Sequence, residues 1–492
     1  MNVEPHPLAP SLRRPARRGR AGITFPPDPD PSRMEVFGSS GVRGLVGSEL
    51  TPPFVGRIAA AAGTALGATT VGIARDTRTT GRLFADAAAS ALAGVGCDVH
   101  RLGIAPTPAA QAYAERAGVP VVVVTASHNP PAYNGVKLVG ADGVELGRET
   151  LKRVEKRLLE ESFELVGFDA VGRTREVDGV REAYVDELLE ALAADGVRER
   201  IAAAEPTVVV DPGHGAGCLT SPGFLRRLGC RVHTLNATPD GHFPGRDPEP
   251  VAANLADLRR FVRATDADLG IAHDGDADRA VFVDETGAHV EGDSALAALA
   301  AAELGAGDVA VSAVNVSRRL ADVADAAGAG LELTPIGSTH IISRMEALRA
   351  AGETVPVAGE GNGGIFFPSY RLARDGAYTA ARFLALVADR PASDVVAAYD
   401  GYVNARANLE YDGDDERAAL LEAADAYAAD ADAEVTTLDG YRLDYGDGWV
   451  LARPSGTEPL VRVYAEGPTD DRARTLLDGM CEAMEAGRQG GS

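Results

Sequence analysis

A strand–loop–helix–strand unit occurs three times along this chain, and it constrains the fold more than any other feature. In the first copy, residues 70–74 read as a strand, Arg75-Asp76-Thr77-Arg78 as a loop, and an Ala-rich segment as a helix to about residue 93. Residues 98–102 form the next strand, which ends in Ala105-Pro106-Thr107-Pro108. The second copy has a strand at 207–210, the loop Asp211-Pro212-Gly213-His214-Gly215, a helix to about residue 228, and a strand at 231–235. The third has a strand at 309–312, the loop Asn315-Val316-Ser317, a helix ending near residue 327, and a strand at 331–333 that meets Thr334-Pro335-Ile336-Gly337. Strands alternating with helices predict an α/β chain built of parallel-type βαβ units. Three copies predict three related α/β domains, and a period of about 100 residues is far too long for a solenoid. The remaining C-terminal stretch has shorter elements and reads as a smaller α+β domain. The expected boundaries are 34–168, 169–293, 294–392 and 393–488. In such sheets ligands gather at the carboxyl ends of strands, and the segments singled out below lie on those loops.

At 492 residues and 45% hydrophobic content the chain can fill several cores. A net charge of −24 argues against nucleic acid as a partner. Lysine occurs only at Lys137, Lys152 and Lys156, and every other side-chain cation apart from histidine is arginine. Abundant acid and alanine with scarce lysine suggest a salt-adapted cytoplasm, where a Debye length of about 3 Å at 1 M salt screens surface repulsion. Cys97, Cys218, Cys230 and Cys481 are scattered and read as reduced core thiols. No run approaches the roughly 18 apolar residues of a membrane span, so a cytoplasmic location without membrane contact is expected. Residues 1–33 are rich in proline and arginine and lack the apolar core of a signal peptide. They read as a disordered or mis-assigned extension ahead of Met34, with a basic nucleic-acid or membrane arm as the weaker alternative.

The densest chemistry is Asp274-Gly275-Asp276-Ala277-Asp278-Arg279. A loop containing Gly275 can fold three alternate carboxylates around one point, where their repulsion demands a cation. Oxygen-only ligands suit a hard ion, Mg²⁺ first, then Ca²⁺ or Mn²⁺. A solvated acidic loop is the alternative, and an EF-hand a remote one, because Arg279 stands where its sharp turn needs glycine and residues 280–284 read as a strand. Four valines, 121–124, make a buried strand that presents Ser127 within Thr125-Ala126-Ser127-His128-Asn129-Pro130. A serine there is placed for covalent chemistry, and a plain turn closed by Pro130 is the alternative. Side chains adjacent in an extended loop point apart, so a Ser127–His128 dyad is not expected. Lys137 is retained in a chain that avoids lysine, which marks it as a candidate acid or base. The glycine-dense Gly359-Glu360-Gly361-Asn362-Gly363-Gly364 lets backbone approach a ligand and offers an acceptor and an amide. Arg453-Pro454-Ser455-Gly456-Thr457-Glu458-Pro459, with Arg462 beyond, offers hydroxyls, a guanidinium and backbone N–H groups to a phosphate. Together these segments fit phosphoryl transfer on a phosphosugar.

Those four loops, in this order and at this spacing, resemble the signature loops of the α-D-phosphohexomutase superfamily of phosphoglucomutases, phosphomannomutases and phosphoglucosamine mutases. The resemblance runs from Met34 to the C-terminus, and Phe37-Gly38-Ser39-Ser40-Gly41-Val42-Arg43-Gly44 is similar to the family's N-terminal loop. It implies four domains around a central cleft and a Mg²⁺-dependent enzyme that interconverts hexose 6-phosphate and hexose 1-phosphate. It also implies a phosphate carried covalently on Ser127, and hexose 1,6-bisphosphate as activator and intermediate. By position, Ser127, Lys137 and Arg43, with the neighbouring His128, are the implied catalytic group. Ser127, Asp274, Asp276 and Asp278 are the implied Mg²⁺ ligands. Arg279, Thr334, Gly337, Glu360 and Asn362 would bind the sugar, and Arg453, Ser455, Gly456, Thr457 and Arg462 its phosphate. The sugar loop lacks the Ser-Gly-His that follows the glutamate in many phosphomannomutases and phosphoglucomutases, which favours an amino sugar. Ser338 also stands where other members carry a charged residue or histidine. A monomer or homodimer acting on a small phosphosugar is expected. A broad-specificity phosphomannomutase/phosphoglucomutase is the alternative, a phosphosugar phosphatase a more distant one, and a non-enzymatic Ca²⁺- or polysaccharide-binding protein the last.

Overall fold

The computed structural model describes residues 36–38, 41–455 and 458–490. The extension expected at 1–33, and Gly456 and Thr457 of the candidate phosphate loop, lie outside the described residues. Four sheets follow one another along the chain. In the first, Val121–Val124, Thr70–Arg75, Asp98–Ile104 and Thr174–Glu176 run parallel in that spatial order, and Tyr133–Val139 and Val42–Leu45 add antiparallel strands at one edge. Thr174–Glu176 lies past residue 168 in sequence yet still pairs with Asp98–Ile104. The second sheet sets Leu269–Ala272, Thr207–Asp211 and Arg231–Thr234 in parallel, with Val281–Asp284 antiparallel at the edge. In the third, Gly330–Thr334, Val309–Ala313 and Ala358–Glu360 are parallel, and Gly364–Phe367 and Arg371–Arg374 fold back against them. The fourth, Val403–Glu410, Leu460–Gly467, Trp449–Pro454, Tyr441–Asp444 and Glu434–Thr436, is antiparallel throughout.

The valine-rich strands are buried on both faces, as parallel sheets require. Val121 to Val124 and Val208 to Val210 are all at most 2% exposed. One continuous apolar cluster joins the first three units through residues such as Tyr184, Phe224, Phe282 and Phe383, and the last two rings stack 4.2 Å apart. Asp375 caps the helix Gly376–Val387 by accepting from the N–H groups of Ala377 and Tyr378, each at 3.0 Å. The same carboxylate accepts 2.8 Å from the Tyr184 hydroxyl, which ties that helix to Val180–Ala194. The helix expected to run to about residue 228 ends there, as Ser221–Arg227, and is preceded by a separate 3₁₀ turn, Ala216–Leu219. Pro222 explains the break, because it lacks an N–H and is tolerated only in a helix's first turn.

Candidate active site

One device holds the chemistry-bearing loops in place. In each α/β unit the strand opening the repeat lies beside the strand that carries the loop, and its carboxyl end supplies the anchor. After Thr70–Arg75, Asp76 accepts from the backbone N–H of Arg78 at 2.9 Å, from Arg78 Nε at 3.0 Å and from Thr125 Oγ1 at 2.7 Å. Arg78 then donates to the carbonyls of Ser127 (2.9 Å), Asn129 (2.6 Å), Pro130 (2.7 Å) and Tyr133 (2.8 Å). After Thr207–Asp211, the pattern returns with Asp211 and Arg246, 3.0 Å apart and buried. Arg246 donates to the carbonyl of His273, one residue before Asp274, at 2.6 Å. In the third unit Ser312 Oγ donates to the carbonyl of Gly359 at 2.6 Å. A guanidinium suits the first two positions because its planar fork serves several carbonyls at once while the aspartate balances its buried charge.

Ser127 is fully buried and sits at φ 49°, in the left-handed region, with its N–H donating to Thr125 Oγ1 at 2.9 Å. Its hydroxyl donates to Asp274 Oδ2 at 2.5 Å. Ser127 Oγ also lies 3.3 Å from His128 Nδ1, so the two side chains converge, against the sequence expectation. The left-handed serine is the reason, since the alternation of an extended strand no longer applies there. His128 Nδ1 also accepts from Arg279 at 3.0 Å. Burial, then Arg279 and Arg43, push the His128 pKa far down, which keeps the ring neutral. Arg43 donates to Asn129 Oδ1 at 2.9 Å. The serine and aspartate loops touch backbone to backbone. A Cβ on Gly275 would lie 2.6 Å from the Ser127 carbonyl oxygen, and one on Gly215 would lie 2.5 Å from that of Gly275.

Asp274, Asp276 and Asp278 are buried and offer oxygens that all lie within 4.8 Å of one another. Asp276 Oδ1 and Asp278 Oδ1 are buried acceptors without a hydrogen-bond partner. Orphaned oxygens in a carboxylate cluster fit a hard divalent cation. Burial, and then Asp276 and Asp278, push Asp274 up to about 8. The other two are held low in spite of burial. Lys137 Nζ lies 3.1 Å from Asp276 and 2.8 Å from Asp278, Arg374 reaches Asp278 at 2.7 Å, and Thr107 donates to Asp276 at 2.6 Å. These contacts outweigh burial and lower both carboxyls. Burial alone would depress the Lys137 ammonium, but Asp276, Asp278 and Glu145 raise its pKa instead.

Beside this core lies a cavity of about 900 Å³, lined by Arg279, Glu360, Asn362 and Arg462 among the expected residues. Glu249, Glu291, Asp293, Asn404, Arg406 and Tyr464 also line it. Asn362 donates to Glu360 at 3.3 Å and accepts from the N–H of Gly364 at 2.9 Å. Gly363, at φ 84°, accepts from the Ala280 N–H at 3.0 Å, which joins this loop to the aspartate loop. Thr334, Gly337, Arg453 and Ser455 are not among the lining residues. Ile336, between the first two in sequence, is linked to Arg453 through Asp439, which accepts from the Ile336 N–H at 3.1 Å and from Arg453 Nε at 3.0 Å. Thr334 turns its hydroxyl to the Pro335 carbonyl at 2.9 Å, and Gly337 precedes the helix Ser338–Ala350. Ser455 pairs by backbone with Leu460, and Arg462 with Glu458 at 2.6 Å.

Four family profiles match consecutive stretches of the chain. They are phosphoglucomutase/phosphomannomutase α/β/α domains I (34–165), II (182–287) and III (291–402), and the C-terminal domain (408–483). The chain belongs to the phosphoglucomutase/phosphomannomutase family. It is 38% identical to a phosphoglucomutase/phosphomannomutase of Thermococcus kodakarensis over 93% of this chain and 100% of that one. It is 39% identical to a probable phosphoglucosamine mutase of Methanopyrus kandleri, over 90% and 96% of the two chains. Among solved structures, a family protein from Burkholderia thailandensis aligns with a TM-score of 0.77 at 29% identity, over 92% of this chain and 98% of that one. The protein is thus an enzyme of the phosphohexomutase type, with a mixed α/β fold in four sheets.

Sequence reasoning missed Asp76 and Arg78, Thr107, Glu145 and Arg374, all of which contact the candidate site. A signal for the first pair was present. An aspartate closes or follows the opening strand of two repeats, at 76 and 211, and such a recurrence marks an anchor. Arg374 carried none, because its approach to Asp278 depends on how the third unit's strands fold back.

Proposed function

We propose that this enzyme interconverts hexose 6-phosphate and hexose 1-phosphate through a phosphorylated Ser127 and a hexose bisphosphate, with glucosamine phosphate as its sugar. The observation that carries the reading is the Ser127 hydroxyl, 2.5 Å from a carboxylate of a three-aspartate cluster with two orphaned oxygens. Asp274, Asp276, Asp278 and an oxygen on Ser127 would hold Mg²⁺. A bound divalent ion would neutralise charge on the transferring phosphoryl oxygens. In the first half-reaction the bond from phosphorus to Ser127 Oγ breaks and a bond to the sugar hydroxyl oxygen forms. Lys137, held as an ammonium, would give a proton to Ser127 Oγ and take the sugar hydroxyl's proton in return. Arg43 and Arg279 face the developing charge, and the neutral His128 orients the serine. The second half runs in reverse with the sugar's other phosphate, which Arg453, Ser455, Gly456, Thr457 and Arg462 release. Burial of Ser127 disfavours attack by water and hence a phosphatase.

For the sugar, Glu360 stands in a cavity that also presents Glu249, Glu291 and Asp293 against Arg279, Arg406 and Arg462, a small excess of acid that suits a 2-ammonium group beside a phosphate. The broad-specificity alternative draws on the relative that is named phosphoglucomutase/phosphomannomutase. Ser127→Ala should abolish conversion of hexose 1-phosphate to 6-phosphate in a folded protein, and near-normal turnover would sink the phosphoserine route. Glu360→Gln should lower kcat/KM for glucosamine phosphate about tenfold more than for glucose or mannose phosphate, a difference of roughly 1.4 kcal/mol. Equal losses, or a wild type that prefers the neutral sugars, would leave the broad-specificity enzyme.

A further inference from the structure

The first sheet carries a second concavity, of about 220 Å³, that shares no lining residue with the cavity described above. Ile73, Arg101 and Glu176 are direct neighbours across three parallel strands. Arg75, two residues beyond Ile73, projects from the same face. The helix Gly81–Gly94 adds Arg82, and Gly103, at φ 72° with open space where a Cβ would stand, leaves one side of the site clear. We propose that this concavity binds the phosphate group of a small phosphomonoester, at a site separate from catalysis.

Charge is the first support. Three guanidiniums converge here on a chain whose net charge is −24. Asp86 is shared, 2.6 Å from Arg101 and 3.8 Å from Arg82, and Glu176 is the one acid among the lining residues. Two carboxylates therefore face three cations. Arg75 is the one without a close ion pair of its own, since Asp76 and Asp86 act on it only at longer range and are taken up by Arg78 and Arg101. It is half-buried, its one hydrogen bond runs to the Asp76 carbonyl at 3.2 Å, and it has no ion pair among the described residues. Arg78, Arg246 and Arg374, the other arginines buried near strand ends, each hold a carboxylate. A guanidinium left without a carboxylate beside two others is matched by a phosphate, whose oxygens accept its paired donors. The volume is the second support. It is roughly sevenfold the 30 Å³ of one water in the liquid, more than a bare tetrahedral ion needs, so a small organic group has room.

The test is hydrogen–deuterium exchange of the full-length protein with glycerol 3-phosphate, free glycerol or orthophosphate. Asp76 and Arg78 in segment 73–86 also contact the candidate active site, whereas 98–104 does not, so protection of 98–104 and its dependence on Arg82 separate the two locations. Glycerol 3-phosphate should protect peptides covering 73–86 and 98–104, and glycerol should not. Arg82→Glu and Arg101→Gln should each raise the concentration needed at least tenfold. The Arg82 side chain is 83% exposed, so its variant keeps the fold and decides the matter if the other does not. Protection that is absent in wild type, or equal in wild type and Arg82→Glu, overturns the site. Equal protection by orthophosphate and glycerol 3-phosphate overturns the monoester assignment.

Discussion

Replacing Arg78 with methionine keeps much of the apolar stem and removes only the guanidinium. The structure gives the size of the loss. Asp76 lies 3.0 Å away with both side chains fully buried, so the variant strands a carboxylate. Removing one partner of a buried pair costs about 3–5 kcal/mol. The carbonyls of Ser127, Asn129, Pro130 and Tyr133 lose a donor as well. One such carbonyl left unsatisfied adds about 1–3 kcal/mol. Counting a single carbonyl, the sum is about 4–8 kcal/mol, comparable with the roughly 5–15 kcal/mol that holds a domain folded. Arg78→Met should therefore unfold the first α/β unit, or move its urea midpoint far down. Adding Asp76→Asn removes the stranded charge, so the double variant should be more stable than the single one. The measurement is urea denaturation of the full chain, read by protease cleavage within 70–139. A loss below about 1 kcal/mol in the single variant, or a double variant no more stable than it, would refute the anchoring role, given that such losses in well-packed sites run larger.

Two further outcomes follow from the acids of the site and its cavity. Mg²⁺ at a hundredfold excess over its Kd should stabilise the wild type by about 2.7 kcal/mol, chelator should reverse this, and Asp276→Asn should lose most of the gain; an unchanged gain in the variant would remove Asp276 from the ligand set. Burial first, and then Glu466, push Asp293 up to about 6, above its unfolded value of roughly 3.9. The folded state thus binds the extra proton, and this residue's contribution is full below about pH 4 and lost as pH rises through about 6. Asp293→Asn should gain stability relative to wild type between pH 4 and 7, and a urea-midpoint difference that stays flat over that range would count against it.

Much of the fold was legible because repeated apolar runs fix parallel strands wherever they occur. The expected strand at 309–312 is observed as Val309–Ala313, and the one at 207–210 as Thr207–Asp211. The antiparallel returns at Tyr133–Val139 and Arg371–Arg374 were not legible, since a strand's direction depends on its neighbour and not on its own residues. At the site, the three aspartates announced themselves by spacing, and they do converge. The convergence of Ser127 on His128 was hidden because it depends on one left-handed residue. The network of Lys137, Arg374 and Glu145 around Asp278 was hidden because it joins residues 96 or more positions apart in sequence to that aspartate.

The backbone contacts between the serine and aspartate loops carry a consequence for heredity. Gly275 packs on the carbonyl of Ser127, and Gly215 packs on Gly275 in turn. Every missense change at either codon adds at least a methyl group where a carbonyl oxygen already stands within 2.6 Å. The displacement would pass from one loop to the next, and a residue with no side chain of its own would misplace the serine and the aspartates. A saturation screen for lost activity should therefore recover Gly215 and Gly275 as intolerant of every replacement, alongside the acids and the serine. Tolerance to drift in this protein is set by empty space as much as by chemistry.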